Sequence, residues 1–231
     1  MRTLVIGDIH GCSLALEKLL EVVKPTSKDR IITLGDYVDR WPASRQVVDR
    51  ILELRKRYQI ISLRGNHEEM MLLSRHDPEQ RDMWHRFGGK QTLESYGHKV
   101  TDDEYRKVPA DHWNFLEKDL LDWYETENHI FVHATLTPDL PLGQQDRQQL
   151  LWDKLTEPLT HVSGKKIICG HTRQLCGLPL DLGTTVCIDT AVYELDGWLT
   201  CLDVNSGHFW QANQRKDSRQ AELADLSWLR G

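Results

Sequence analysis

Cysteine is scarce: the 231-residue chain has five, an odd number, and none form a CxxC pair. That excludes a disulfide framework and a zinc knuckle. Among Cys12, Cys169, Cys176, Cys187 and Cys201, several fall in apolar runs (IIC, VCI, LTC). There a thiol serves as a small buried hydrophobe in a reducing compartment. No apolar run approaches the roughly 18–20 residues that span a bilayer. The opening MRTLVIGD is too short in apolar residues for a signal peptide, so a cytoplasmic protein with no membrane partner is expected. Positive charge is not in excess. The 29 Lys and Arg against 35 Asp and Glu leave a net charge of −6, which gives no footprint for a nucleic-acid backbone. No GxGxxG follows the first apolar run, which removes Rossmann-type dinucleotide binding. No repeat or low-complexity stretch is present, and nothing marks an oligomeric interface.

What is present is a globular composition, 39% hydrophobic and 28% charged. The length fits one domain over residues 1–231. Short β-branched runs end abruptly in Gly, Asp, Asn or His. TLVI precedes Gly7-Asp8, IITL precedes Gly35-Asp36, and IISL precedes Arg64-Gly65-Asn66. HIFV precedes His133 and KIIC precedes Gly170-His171. Such runs read as buried strands. Between the first three lie helix-period segments. Ser13 is placed to cap one with Leu14, Leu16, Leu19, Leu20 and Val23 on its apolar face, Val47, Val48, Ile51, Leu52 and Leu54 mark another, and Met70, Met71, Leu72 and Leu73 begin a third. Alternating strand and helix predicts an α/β domain, with ligands beyond the carboxyl ends of the strands.

Residues from about 76 to 126 break the alternation and are rich in Trp, Tyr and charge. They read as a helical insertion over one edge of the site, with a turn at Phe87-Gly88-Gly89. Thr185–Asp189, Trp198–Val204 and Phe209–Ala212 read as antiparallel strands of a second sheet. The tail from about 213 to 231 reads as a peripheral helix or a frayed end.

The strand ends carry Asp8, His10, Asp36, Asn66, His133 and His171. This mixed O and N set suits Mn, Fe or Zn without a thiolate. Asp8 and His10 can serve one ion, Asn66, His133 and His171 a second, with Asp36 between them. Two divalent ions lower the pKa of water and clamp the entering and leaving oxygens of an in-line displacement.

Gly-Asp-Ile-His-Gly (7–11), Gly-Asp-Tyr-Val-Asp-Arg (35–40) and Arg-Gly-Asn-His-Glu (64–68) resemble the three signature blocks of the phosphoprotein phosphatase family. Val-His-Ala (132–134), Leu-Leu-Trp (150–152), Gly-His-Thr (170–172) and Ile-Asp-Thr (188–190) fit its later elements. The chain is similar to small bacterial and bacteriophage members over about residues 1–210. The resemblance implies a calcineurin-like metallophosphoesterase fold: an α/β, four-layer αββα sandwich with mixed sheets and a helical insertion. It also implies that the six residues above are ligands to two metal ions, most often Mn. His67 and Asp39 are implied as the acid dyad, and Arg40 and Arg64 as phosphate clamps.

The chain departs from the family at Trp41, where Gly is usual, and a large ring there is expected to narrow the pocket. Thr135 also replaces a usual Gly. Lys154 stands where Arg binds phosphate, keeping the charge but losing the planar fork. Arg173 follows Gly-His-Thr and is expected to compensate in part. The implied activity is hydrolysis of phosphoserine and phosphothreonine in a protein or peptide partner. The alternative is a diadenosine tetraphosphate hydrolase or other nucleotide phosphatase, a group that usually carries Asp where Glu68 stands here. A non-catalytic metal-binding module is the third reading.

Overall fold

The computed structural model describes residues 1–97 and 105–230. Residues 98–104 of the expected insertion and Gly231 of the tail lie outside the described residues.

The five apolar runs are strands: β1 (Thr3–Ile6), β2 (Arg30–Thr33), β3 (Gln59–Ser62), β5 (His129–Val132) and β6 (Lys166–Cys169), with β4 (Trp123–Glu125) preceding β5. β1, β2 and β3 pair in parallel, joined by helices α1 (Ser13–Val23) and α2 (Ser44–Arg55), and α3 (Asn66–Leu73) follows β3. β5 and β6 pair in parallel in the other sheet. All five strands therefore deliver their carboxyl ends to polar loops. Ser13 opens α1 at its first helical position, while Cys12 is the N-cap and makes no side-chain cap; Leu14, expected on the apolar face, is exposed, and Ala15 is buried instead.

With β7 (Leu180–Asp181), β8 (Thr185–Cys187), β9 (Leu199–Asp203), β10 (His208–Ala212) and β11 (Ser218–Glu222), two sheets face each other, ordered β11-β10-β9-β1-β2-β3 and β4-β5-β6-β8-β7. Strand alternation sorts the side chains into layers. Val5, Ile32, Phe131, Ile168, Leu202 and Phe209 fill the space between the sheets. Leu4, Ile6 and Ile31 face outward onto Leu16, Leu19, Val47 and Val48 of the helices. On the far side Ile130, Val132 and Ile167 pack under Leu150 of α7 (Arg147–Trp152). Helix, sheet, sheet and a thinner outer layer of helix and loop make four layers.

Three expectations need correction. β9 (Leu199–Asp203) and β10 (His208–Ala212) join the first sheet, with β9 antiparallel to β1. Every β9 residue is buried: Leu199 and Cys201 face the helices while Leu202 faces the second sheet. A strand that is apolar on both sides belongs beside the central β1, not at a sheet edge. Of the three C-terminal runs only β8 (Thr185–Cys187) lies in the second sheet; it is parallel to β6 and antiparallel to β7 (Leu180–Asp181). The tail is neither frayed nor purely helical. β11 (Ser218–Glu222) pairs with β10 as a polar edge strand, a composition that discourages further pairing, and residues 223–230 form a 3-10 helix.

The inserted segment contains α4 (Pro78–Trp84), a π turn (His85–Gly89), α5 (Lys90–Ser95), α6 (Ala110–Asn114) and a second π turn (Phe115–Asp119). Its last residues, expected to be helical, belong to β4. All five cysteines are free, and only Cys176 is exposed. Among the described residues no helix is long and apolar enough to cross a membrane.

Candidate metal and phosphate site

The loops after β1, β2 and β6 turn sharply. His10, Asp36, Asp39, Arg40 and His171 all have positive φ, between 48° and 73°. Non-glycine residues adopt this region at a cost that a structure must compensate, and they concentrate at functional sites. The turns bring the six expected donors together. His10 Nε2 is 3.3 Å from Asp36 Oδ2, and His133 Nε2 is 3.5 Å from Asp36 Oδ1. Asn66 Oδ1 lies 3.0 Å from His133 Nε2 and 3.1 Å from His171 Nδ1. The Asp8 carboxylate accepts the His171 backbone N–H at 3.0 Å.

The imidazole tautomers follow from the outer hydrogen bonds. His10 Nδ1–H donates to Val38 O at 3.0 Å, His133 Nδ1–H to Leu34 O at 2.8 Å, and His171 Nε2–H to Trp152 O at 2.9 Å. A carbonyl only accepts, so each ring turns its other nitrogen, a lone pair, toward the centre. Burial holds His10 and His133 below the ordinary histidine range and His171 down to about 4, so all three rings are neutral near pH 7. Lone pairs therefore face carboxylate and amide oxygens with no proton between them. Burial, with Asp189 and Asp36 nearby, pushes the Asp8 carboxyl well above its usual range. Buried acceptors crowded without donors are what a cation relieves. His10, Asp36 and His67 form one candidate ion-holding group, and Asp36, His133 and His171 another. Asp36 is common to both.

His67 differs from the other rings. Its Nδ1–H donates to Asp39 Oδ2 at 2.7 Å, so Nε2 faces the cleft, 4.0 Å from Asp36 Oδ2. Burial pulls this ring down, but Asp36 and Asp39 outweigh burial and hold it above the ordinary value. It is the one site histidine biased toward carrying a proton.

The cleft over these groups has a volume of about 380 Å³. Arg40, Lys154 and Arg173 line it, as expected. The Arg40 guanidinium lies 4.6 Å over the ring of Tyr193, and its buried Nε–H has no hydrogen-bond partner among the described residues. Arg173 is exposed and 3.6 Å from Glu194.

Arg64 is not in the cleft. Its Nη1 donates to Leu116 O at 2.8 Å and its Nη2 to Glu117 O at 3.3 Å, and its Nε lies 3.6 Å from Asp122. It ties the block at residues 64–68 to the second π turn, because the inserted segment presents unpaired carbonyls there. Trp41 does not narrow the pocket either. Its indole N–H donates to Tyr193 O at 2.8 Å, and Tyr193 rather than Trp41 lines the cleft. Glu68 is fully buried and faces away from the cleft. It accepts backbone N–H groups of Asp36, Tyr37, Val38 and Gly65 at 2.8–3.2 Å. Its identity therefore reports loop geometry rather than substrate contact.

Sequence reasoning missed Asp189, Tyr193, Phe87 and Met70, which also line the cleft. Asp189 stood in the Ile-Asp-Thr block and could have been read as a strand-end carboxylate. Phe87 stood in the insertion expected over one edge of the site, while Tyr193 and Met70 carried no signal of their own.

Residues 1–174 match the family model described as calcineurin-like phosphoesterase. A bis(5'-nucleosyl)-tetraphosphatase (asymmetrical) of Oceanobacillus iheyensis is 25% identical, over 64% of this chain and 61% of its own. Serine/threonine-protein phosphatase 1 of Salmonella typhimurium is 28% identical, over 65% of this chain and 67% of its own. The cold-active protein-tyrosine phosphatase of a Shewanella species superposes with a TM-score of 0.65 at 16% identity, covering 95% of this chain and 80% of that one.

Proposed function

We propose that this chain, which belongs to the calcineurin-like phosphoesterase family, is a phosphomonoesterase that uses two divalent ions and acts on phosphoserine and phosphothreonine in proteins or peptides. The observation that carries the reading is a juxtaposition. His67, whose ring is biased toward protonation, and Arg40, whose buried Nε–H has no partner among the described residues, line one cleft with Asp8, His10, Asp36, Asn66 and His171.

Asp8, His10, Asn66, His133 and His171 would hold the ions, with Asp36 shared. When bound, the ions acidify water and neutralise phosphate charge; Mn fits the donor set, as do Fe and Zn. The remaining work belongs to the chain. Arg40 binds phosphate oxygens through its planar fork, and Lys154 and Arg173 add charge at the mouth. His67 gives its Nε2 proton to the departing alkoxide as the P–O bond breaks, and Asp39 holds the ring that does so. Water is consumed, and inorganic phosphate and an alcohol are released.

The name of the Salmonella relative supports a protein substrate. So does Phe87, 46% exposed at the cleft, which offers an apolar surface to a peptide. The second reading, a dinucleoside polyphosphate, is supported by the name of the Oceanobacillus relative. Glu68 no longer weighs between them, since it does not reach the cleft. Turnover with Mn on phosphoserine, phosphothreonine and phosphotyrosine peptides and on diadenosine tetraphosphate tests the assignment. Preference for the dinucleotide would replace the first reading with the second. Arg173→Ala with unchanged KM and kcat would remove Arg173 from phosphate binding.

A further inference from the structure

We infer that Trp84 and Thr92, on the two arms of the inserted helix-turn-helix, are positioning residues that hold Asp39, and through it His67, in register for protonating the leaving group. The inference rests on the dyad reading above and goes beyond it by making the insertion part of the catalytic apparatus.

The contacts converge on one side chain. Trp84 Nε1–H donates to Asp39 Oδ2 at 2.8 Å and Oδ1 at 3.0 Å. Thr92 Oγ1–H donates to Asp39 Oδ1 at 2.6 Å and accepts the backbone N–H of the same residue at 2.8 Å. Thr92 thus grips Asp39 at both ends, with Ser44 Oγ taking the same N–H at 3.0 Å. Together with His67 Nδ1–H, these donors cover the carboxylate and leave it no room to swing. Asp39, Trp84 and Thr92 are all fully buried. A backbone with φ of 73° at Asp39 has no intrinsic preference for this geometry, so external donors must impose it.

The turn between the arms is shaped to reach this loop. Gly88 has φ of 117°, and a Cβ there would sit 2.3 Å from the Arg40 backbone nitrogen. A Cβ on Gly89 would sit 2.4 Å from the Trp84 ring. The two glycines let the π turn press against residues 39–40 and bring both donors within hydrogen-bonding distance. A segment that merely covered the site would need neither.

The test uses leaving groups. A serine alkoxide needs a proton to depart, whereas p-nitrophenolate leaves as the anion. Thr92→Val keeps the side-chain volume and removes the hydroxyl, Thr92→Ser restores it, and Trp84→Phe removes the indole N–H. We expect Thr92→Val and Trp84→Phe to lower kcat on a phosphoserine peptide about tenfold, a fraction of the roughly 10²–10⁴ that general acid catalysis supplies. KM should not change, kcat on p-nitrophenyl phosphate should change less than about twofold, and Thr92→Ser should resemble the parent. Equal losses on both substrates, no loss on either, or Thr92→Ser behaving as Thr92→Val would overturn the inference. His67→Asn separates the two readings. If it discriminates between leaving groups and neither Thr92→Val nor Trp84→Phe does, the inference alone fails; if it does not discriminate, the dyad itself is wrong.

Discussion

Glu68 Oε2 accepts the backbone N–H of Asp36 at 2.8 Å, so a buried carboxylate in one signature block fixes the backbone of the residue shared by both candidate ion-holding groups. The same side chain takes the N–H groups of Tyr37 and Val38. Four donors meet two oxygens. Glu68→Gln would turn an NH₂ toward part of this set and leave backbone N–H groups unpaired. A buried unsatisfied group costs about 1–3 kcal/mol. Denaturant unfolding of the metal-free variant should show a loss of at least that size. Unfolding that matches the parent would mean the loop holds itself.

Asp36 lies between the two halves of the donor set. Asp36→Asn removes the charge that both sides share. Ion stoichiometry by elemental analysis should fall, and kcat/KM should fall by more than the roughly 10–100-fold typical of losing an outer-shell partner. Retained turnover with both ions would contradict the assignment.

Arg40 and Arg64 should separate cleanly in kinetics and stability. Arg40→Ala should raise KM for phosphomonoesters with little change in thermal midpoint. Arg64→Met should leave KM alone and destabilise the fold. Arg64 serves the carbonyls of Leu116 and Glu117, and hydrogen bonds from charged groups contribute about 1.5–3 kcal/mol. A KM effect at Arg64 would return it to the phosphate site.

Acid should weaken ion binding. Burial depresses His10, His133 and His171 in the folded chain, the last to about 4. The unfolded chain, with histidines near 6.5, therefore takes up more protons as pH drops. The stability these rings contribute is complete above the unfolded value and is lost as pH falls through the folded values. Between pH 7 and 5 the Mn affinity should decline as protons compete for these lone pairs, while Asp8 and His67, held above their ordinary values, oppose the rings' effect on metal-free stability. A flat profile would show that these rings do not titrate as their burial requires.

The convergence of the candidate donors was legible in the sequence because most follow a short apolar parallel strand, and chain direction alone puts such residues on one edge. Asp8, Asp36, Asn66, His133 and His171 needed no tertiary information beyond that rule. Arg64 misled because its block names a neighbourhood and not a direction; its side chain answers carbonyls some fifty residues away. Trp84, Thr92 and Tyr193 were invisible for the same reason. An indole or hydroxyl in a helical stretch does not announce which carboxylate it will meet. The sheet assignment of β9 failed on a similar point, since Leu-Thr-Cys-Leu-Asp does not say which of two sheets lacks a neighbour for its central strand.

The donors come from both sides of a seam. Asp8, His10, Asp36 and Asn66 extend from the sheet built on β1, β2 and β3, while His133 and His171 extend from the one built on β5 and β6. Any ion shared by Asp36 and His133 therefore acts as a rivet between two halves of the molecule. Chelation should loosen the whole sandwich as well as silence its chemistry.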